Sequence, residues 1–367
     1  MRYGVTPMST LDSAMTADPA QQAAAGLLGL AERGLLPDPL IRLGIRRLCA
    51  GRLKSEQAGG PEAQEQRLMS RLAALRTSPL AIETEAANTQ HYELPSKFFE
   101  FCLGRRLKYS CAYYPSGRET LDEAEEAMLA LYGERAGLAD GQEILELGCG
   151  WGSLTLWMAE RYPNARVHAV SNSHGQRLYI ERRCRDQGLR NVSVTTCDIN
   201  HLELPAGSFD RCVSIEMLEH LRNYDTLLAR IAAWLTDDGK LFVHIFAHRN
   251  HLYAFEAEGS DDWMGQHFFT GGIMPSADTL LWFQRDLSLE QRWLIPGTHY
   301  QRTANHWLVN QDAHREAIRA SLAAHYGAES AVLRAQRWRM FWMACAETFG
   351  YAGGSEWLVA HYLLGRK

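Results

Sequence analysis

From residue 143 onward the chain alternates short apolar runs with segments of helical period. The runs near Ile144–Leu147, Arg166–Val170, Val192–Thr196, Cys212–Ile215 and Leu241–His244 have strand length, and helical stripes lie between them. The clearest stripe joins Leu227, Leu228, Ile231, Trp234 and Leu235. Strands returning about every 25 residues through helical crossovers predict a doubly wound, mostly parallel α/β sheet of Rossmann-like type. After a helical stretch over Trp338–Phe349, Trp357–Leu364 is predicted to close the sheet as an antiparallel edge strand. Such sheets hold ligands beyond the carboxyl ends of their strands, so the residues just after each strand are the ones to inspect.

The first of these positions is Glu143-Ile144-Leu145-Glu146-Leu147-Gly148-Cys149-Gly150-Trp151-Gly152, a strand that breaks at three alternate glycines and passes into a helix. Glycines admit close backbone approach, and a helix N-terminus offers free N–H groups. The spacing is G-x-G-x-G, not the G-x-G-x-x-G of dinucleotide sites. Glu146 suits the ammonium and hydroxyls of an amino-acid nucleoside, and the motif resembles the first motif of S-adenosylmethionine-dependent methyltransferases. After the second strand, Ser171 to Gln176 is a polar cluster with no ribose-binding carboxylate, which argues against NAD. Asp198 and Ile199 follow the third, suited to an adenine amino group and ring face. Glu216-Met217-Leu218-Glu219-His220 follows the fourth, and His244 ends the fifth.

Outside the sheet, residues 1–37 are rich in Ala, Gly, Ser, Thr and Pro and are expected to form a loose arm. Residues 38–135 form a helical extension: two helical patterns lie between Leu40 and Arg76, their arginine faces open either to solvent or to anionic lipid, and Thr120 opens a capped helix with Glu123 in capping-box spacing. Between them, Asn88, His91, Tyr92, Tyr109, Ser110, Cys111, Tyr113 and Tyr114 gather polar tips on aromatic rings. Residues 136–367 form the sheet domain, with an insertion over 246–300 whose stretch Tyr253 to Met274 reads as a lid.

Composition narrows the partners. The 367-residue chain carries 38 basic and 43 acidic residues, a net charge of −5, with no basic run to meet a nucleic acid. No apolar stretch of about 18 residues exists to span a membrane, and no secretion signal is apparent, so a cytoplasmic location is expected. The 8 cysteines contain no C-x-x-C pair, which points to buried thiols and against a metal site.

Asn88-Thr89-Gln90-His91-Tyr92, Tyr109-Ser110-Cys111-Ala112-Tyr113, the Gly148 turn, Glu216 to His220, Val243-His244 and Gly297-Thr298-His299-Tyr300 together resemble the cyclopropane fatty acid synthase group of methyltransferases. Within that group the chain is most similar to the coclaurine N-methyltransferase branch, and Asp261-Asp262-Trp263 and Phe268 to Gly272 extend the likeness. The resemblance implies a seven-stranded methyltransferase sheet. It implies S-adenosylmethionine held by Tyr109, Ser110, Ile144, Glu146, Gly148, Cys149, Gly150, Trp151, Gly152, Ser171, Asn172, Gln176, Asp198 and Ile199. The lipid synthases bind a bicarbonate, and the positions matching its ligands are Cys111, Glu219, His244 and Tyr300. The amine branch carries a carboxylate where lipid synthases usually have glycine, and that position here is Glu216.

The Glu216 carboxylate tips the expected acceptor to a hydrophobic aromatic amine, with Glu216, Glu219 and His220 holding its ammonium and taking its proton; an unsaturated phospholipid acyl chain at a membrane surface is the alternative. Tyr92, Tyr113, Trp263, Phe268 and Phe269 are candidates for a cage around the amine cation. Other uses stay open for some of these residues. Glu219 and His220 could cap the helix near Asn223, and His244 could be a satisfied core histidine. A homodimer is compatible with the sequence.

Overall fold

The structure, a computed structural model, describes residues 19–82, 94–255 and 263–367. Asn88 to Tyr92 and Asp261-Asp262 lie outside the described residues. The centre is a seven-stranded sheet built from β1 (Glu143–Leu147), β2 (Arg166–Ser171), β3 (Val192–Thr196), β4 (Phe209–Ile215), β5 (Leu235–His248), β8 (Leu287–Ile295) and β9 (Trp357–Arg366), in the order β3-β2-β1-β4-β5-β9-β8. Strand order reverses between β1 and β4, both parallel to their neighbours, so the switch point lies where the sequence placed the site. A small antiparallel pair, β6 (Tyr253–Ala254) and β7 (Ile273–Met274), stands beside the sheet.

The closing strand is antiparallel, as its sequence predicts, but it is not at the edge. β9 runs between β5 and β8, and all its residues except Arg366 are buried. Burial on both faces is what its mostly apolar stretch Leu358–Leu364, interrupted by His361, reflects. The true edge, β8, escaped the pattern because Glu290, Gln291 and Arg292 sit mid-strand beside a register shift between Leu289 and Gln291. Charges and bulges are ordinary protection for an exposed edge, and they erase the alternation.

Twelve helices surround the sheet among the described residues. The expected loose arm holds a helix, α1 (Pro19–Glu32), pinned at its end by Glu32, which accepts from the Arg337 guanidinium and the Trp263 indole, each at 2.9 Å. Those partners lie more than 200 residues away, so local period could not reveal them. The arginine face of α2 (Asp38–Gln57) is neither free nor lipid-directed throughout: Arg42 and Arg46 both pair with Glu347, at 2.8 and 2.5 Å. Next come α3 (Gly60–Thr77), α4 (Ser96–Cys102) and α5 (Leu121–Ala136), the last opened by the Thr120–Glu123 capping box. The crossovers are α6 (Ser153–Arg161), α7 (His174–Gln187) and α8 (Tyr224–Trp234); after α9 (Trp263–His267), α10 (Thr298–Ala313), α11 (Arg315–Tyr326) and α12 (Ala328–Gly350) pack as a bundle. All eight cysteines are unpaired thiols, and no described helix is long and apolar enough to cross a membrane.

Candidate active site

The three glycines of the first turn have separate reasons to be glycine. All have positive φ, at 80°, 52° and 81° for Gly148, Gly150 and Gly152. A Cβ on Gly148 would meet Met217 at 2.8 Å and one on Gly152 would meet Ile180 at 2.7 Å, but one on Gly150 meets no atom of the described residues within 4 Å. Gly150 therefore borders open space, while its neighbours make room for packing.

That space is a cavity at the carboxyl ends of the strands. Tyr109, Ser110, Glu146, Gly148, Cys149, Gly150, Trp151, Ser171, Asn172, Gln176, Asp198 and Ile199 line it, together with Glu216 and His220. Ile144 and Gly152, expected among the cofactor contacts, do not reach it: Ile144 is fully buried and Gly152 packs on Ile180. The wall offers polar atoms with no partner among the described residues, namely Trp151 Nε1, Ser153 Oγ and Gln176 Nε2. Ser171 accounts for one end of Gln176, its hydroxyl donating to Oε1 at 2.6 Å. Orphaned donors beside a glycine turn fit a ligand bearing carboxylate and hydroxyl groups.

Glu146 lies at the same wall, taking a hydrogen bond from the Thr155 hydroxyl at 2.5 Å. Burial pushes its carboxyl up to about 8. A folded-state pKa above the unfolded value makes the folded apo-protein hold a proton the unfolded chain releases, so this contribution to stability is lost as pH rises from about 4.5 toward 8. Melting curves of apo-protein from pH 5 to 9 should show Glu146→Gln gaining on the wild type as pH rises. A difference independent of pH would show Glu146 charged throughout.

Across the cavity stands Glu216, directly after β4, with its backbone in the left-handed region at φ 46°. Its own N–H donates to the His244 carbonyl at 2.9 Å, so the neighbouring strand fixes this unusual geometry. Three donors converge on the carboxylate. Oε1 accepts from the Cys111 main-chain N–H and His244 Nε2, both at 3.0 Å, and Oε2 accepts from the Tyr300 hydroxyl at 2.6 Å. Cys111 contributes its amide only; its thiol donates to the Ala112 carbonyl, and burial raises its pKa. Burial also raises Glu216, opposed by the Lys108 ammonium.

The sequence grouped Cys111, His244 and Tyr300 with Glu219, and the structure gathers the three on Glu216. Glu219 is fully buried, and neither of its oxygens has a hydrogen-bond partner among the described residues. Burial, and then the Glu216 charge, raise its pKa well above the usual carboxylate range. It does not cap α8: Asn223 does, its side chain accepting from the Thr226 N–H at 2.9 Å. His220 lines the cavity and stacks on Phe269 with ring centroids 5.1 Å apart.

Of the other proposed cage rings, Tyr92 lies outside the described residues, and Tyr113, Trp263 and Phe268 do not line the cavity. Tyr113 stacks on His299, Trp263 is committed to Glu32, and Phe268 stacks on Phe341. Sequence reasoning also missed Lys108, which is buried and donates to Ser110 Oγ at 2.5 Å and the Cys111 carbonyl at 2.7 Å. A lysine between Leu107 and Tyr109 was the available signal. Burial lowers its pKa to about 8. Tyr132 and His361, both against His244 Nδ1, were missed as well.

This sheet, with a glycine-turn cavity at its switch point, is that of an S-adenosylmethionine-dependent methyltransferase. The crystal structure of coclaurine N-methyltransferase bound to N-methylheliamine and SAH superposes with a TM-score of 0.90 at 40% identity, covering 94% of this chain and all of that one. The profile of mycolic acid cyclopropane synthetase matches residues 81–353, and the chain belongs to that family. The (S)-coclaurine N-methyltransferase of Thalictrum flavum subsp. glaucum is 39% identical over 93% of this chain and 95% of its own length. The cyclopropane-fatty-acyl-phospholipid synthase of Escherichia coli K12 is 30% identical over 59% of this chain and 54% of its own length.

Proposed function

We propose that the enzyme methylates the nitrogen of a hydrophobic aromatic amine of benzylisoquinoline type, with Glu216 as the base. The carrying observation is that the Glu216 carboxylate itself takes the hydrogen bonds of the Cys111 amide, His244 and Tyr300. Those are three of the positions that the family resemblance gives to bicarbonate in lipid synthases. A fixed carboxylate in that socket is useful beside an ammonium and costly beside an alkene, where nothing offsets its desolvation.

S-adenosylmethionine, when bound, supplies an electrophilic methyl group. The protein's own tasks are then to hold the acceptor nitrogen in line, exclude water and remove one proton. Tyr109, Ser110, Glu146, Trp151, Gln176 and Asp198 are the residues positioned to hold the donor. Glu216 and His220 face the same cavity and receive the proton. Leu107, Leu129, Ile215 and Leu221 give the cavity an apolar side suited to an aromatic acceptor.

Transfer to an unsaturated acyl chain is the second reading, favoured by the cyclopropane synthetase profile. Mass spectrometry separates the two. The enzyme is incubated with S-adenosylmethionine and either coclaurine-like amines or vesicles of unsaturated phospholipid. A methyl gain on the amine with unaltered lipid is expected; methylene gain in the lipid with untouched amines would replace the proposal.

A further inference from the structure

Register and helix spacing assemble a buried line of side chains leading away from Glu216. Strand pairing sets Ile215 beside His244, His244 beside His361, and His361 beside Trp293, one row across β4, β5, β9 and β8. Helix α5 crosses this row and contributes Tyr132 and Arg135, three residues apart and so on one helix face. The contacts are continuous. Arg135 Nη1 meets His361 Nδ1 at 2.8 Å, His361 Nε2 meets His244 Nδ1 at 2.8 Å, and His244 Nε2 meets Glu216 Oε1 at 3.0 Å.

Each proton along this line has one possible place. Arginine only donates, so His361 Nδ1 must accept and its proton must sit on Nε2. That N–H points at His244 Nδ1, which therefore accepts; the Tyr132 hydroxyl lies 2.9 Å from the same nitrogen. The His244 proton is left on Nε2, aimed at a carboxylate that can only accept. The far end is anchored too: the Arg135 guanidinium lies over the Trp293 ring at 4.9 Å.

We propose that Arg135 and His361 are positioning residues that lock His244 as a neutral Nε2–H donor to Glu216. The proposal rests on the reading of Glu216 as the base. A neutral donor orients the carboxylate without the full counter-charge of an imidazolium, which would depress its basicity. The groups facing His244 are Glu216 after β4, Lys108 from the loop before Tyr109, Tyr132 and Arg135 on α5, and His361 on β9. Of these, burial first and then Lys108 and Arg135 hold His244 well below the ordinary histidine range. Burial, His244, Arg135 and Lys108 do the same for His361.

The test uses full-length enzyme and Arg135→Met, with Arg135→Lys keeping the charge. Nitrogen-15 spectra of histidine-labelled apo-enzyme should show His244 and His361 as neutral Nε2–H tautomers in the wild type and a redistributed pattern in Arg135→Met. In kinetics, Arg135→Met should lose about tenfold in kcat, with the amine KM nearly unchanged, and its acid limb should move up by about one pH unit as His244 becomes easier to protonate. Arg135→Lys should restore most of the pH profile. Wild-type tautomers other than these, or an unchanged pH profile in a folded Arg135→Met, would overturn the lock. The spectra need no acceptor, so correct tautomers alongside a fully active Glu216→Gln would leave the hydrogen-bonded line standing and remove the base assignment instead.

Discussion

Glu216→Gln is expected to lower kcat/KM for an aromatic amine by about 10²-fold or more, the usual scale for loss of a general base, with S-adenosylmethionine affinity nearly unchanged. The substitution is close to isosteric, and the socket can accommodate it. An amide oxygen still accepts from the Cys111 N–H and His244 Nε2, while the amide NH₂ faces the Tyr300 hydroxyl, which can turn to accept. The cost thus falls on proton removal, not on folding. It should shrink as pH rises toward the amine's own pKa, because free amine then forms without help. Steady-state kinetics across pH check both parts. Normal amine methylation by the variant at neutral pH would refute the assignment and pass the case to the lipid reading.

Gly150→Val should abolish measurable cofactor binding. The backbone there has φ 52°, a conformation that costs a β-branched residue about 1–2 kcal/mol, and the added side chain enters space that no atom of the described residues claims within 4 Å. The protein can stay folded under a cost of that size, whereas the ligand loses its seat. Gly148 is a poorer probe because its substituent would first strike Met217, the neighbour of Glu216. Titration calorimetry on a folded Gly150→Val protein decides the matter: wild-type affinity would remove the glycine turn from the cofactor site.

The parallel half of the fold was legible because its strands end in residues too polar for the core. For the same reason Gly150, Gln176, Asp198 and Glu216 could be picked out before any coordinates. What stayed hidden depends on partners distant in the chain. Nothing local distinguishes Glu216 from Glu219 as the recipient of the Cys111, His244 and Tyr300 bonds; the left-handed turn at residue 216 decides it. Likewise His361 looks like a strand residue until β9 is seen beside β5 rather than at the edge.

With Glu216 as the proposed base, its left-handed backbone sets catalysis against durability. Glycine would rest there without strain, and asparagine with little, so the acidic residue persists against a local preference of about 1–2 kcal/mol. Its buried charge adds to that penalty. A library of variants selected only for heat resistance will tend to replace it and collect inactive survivors. Stabilisation of this scaffold therefore has to be sought with position 216 held constant, for example on the exposed faces of the helices.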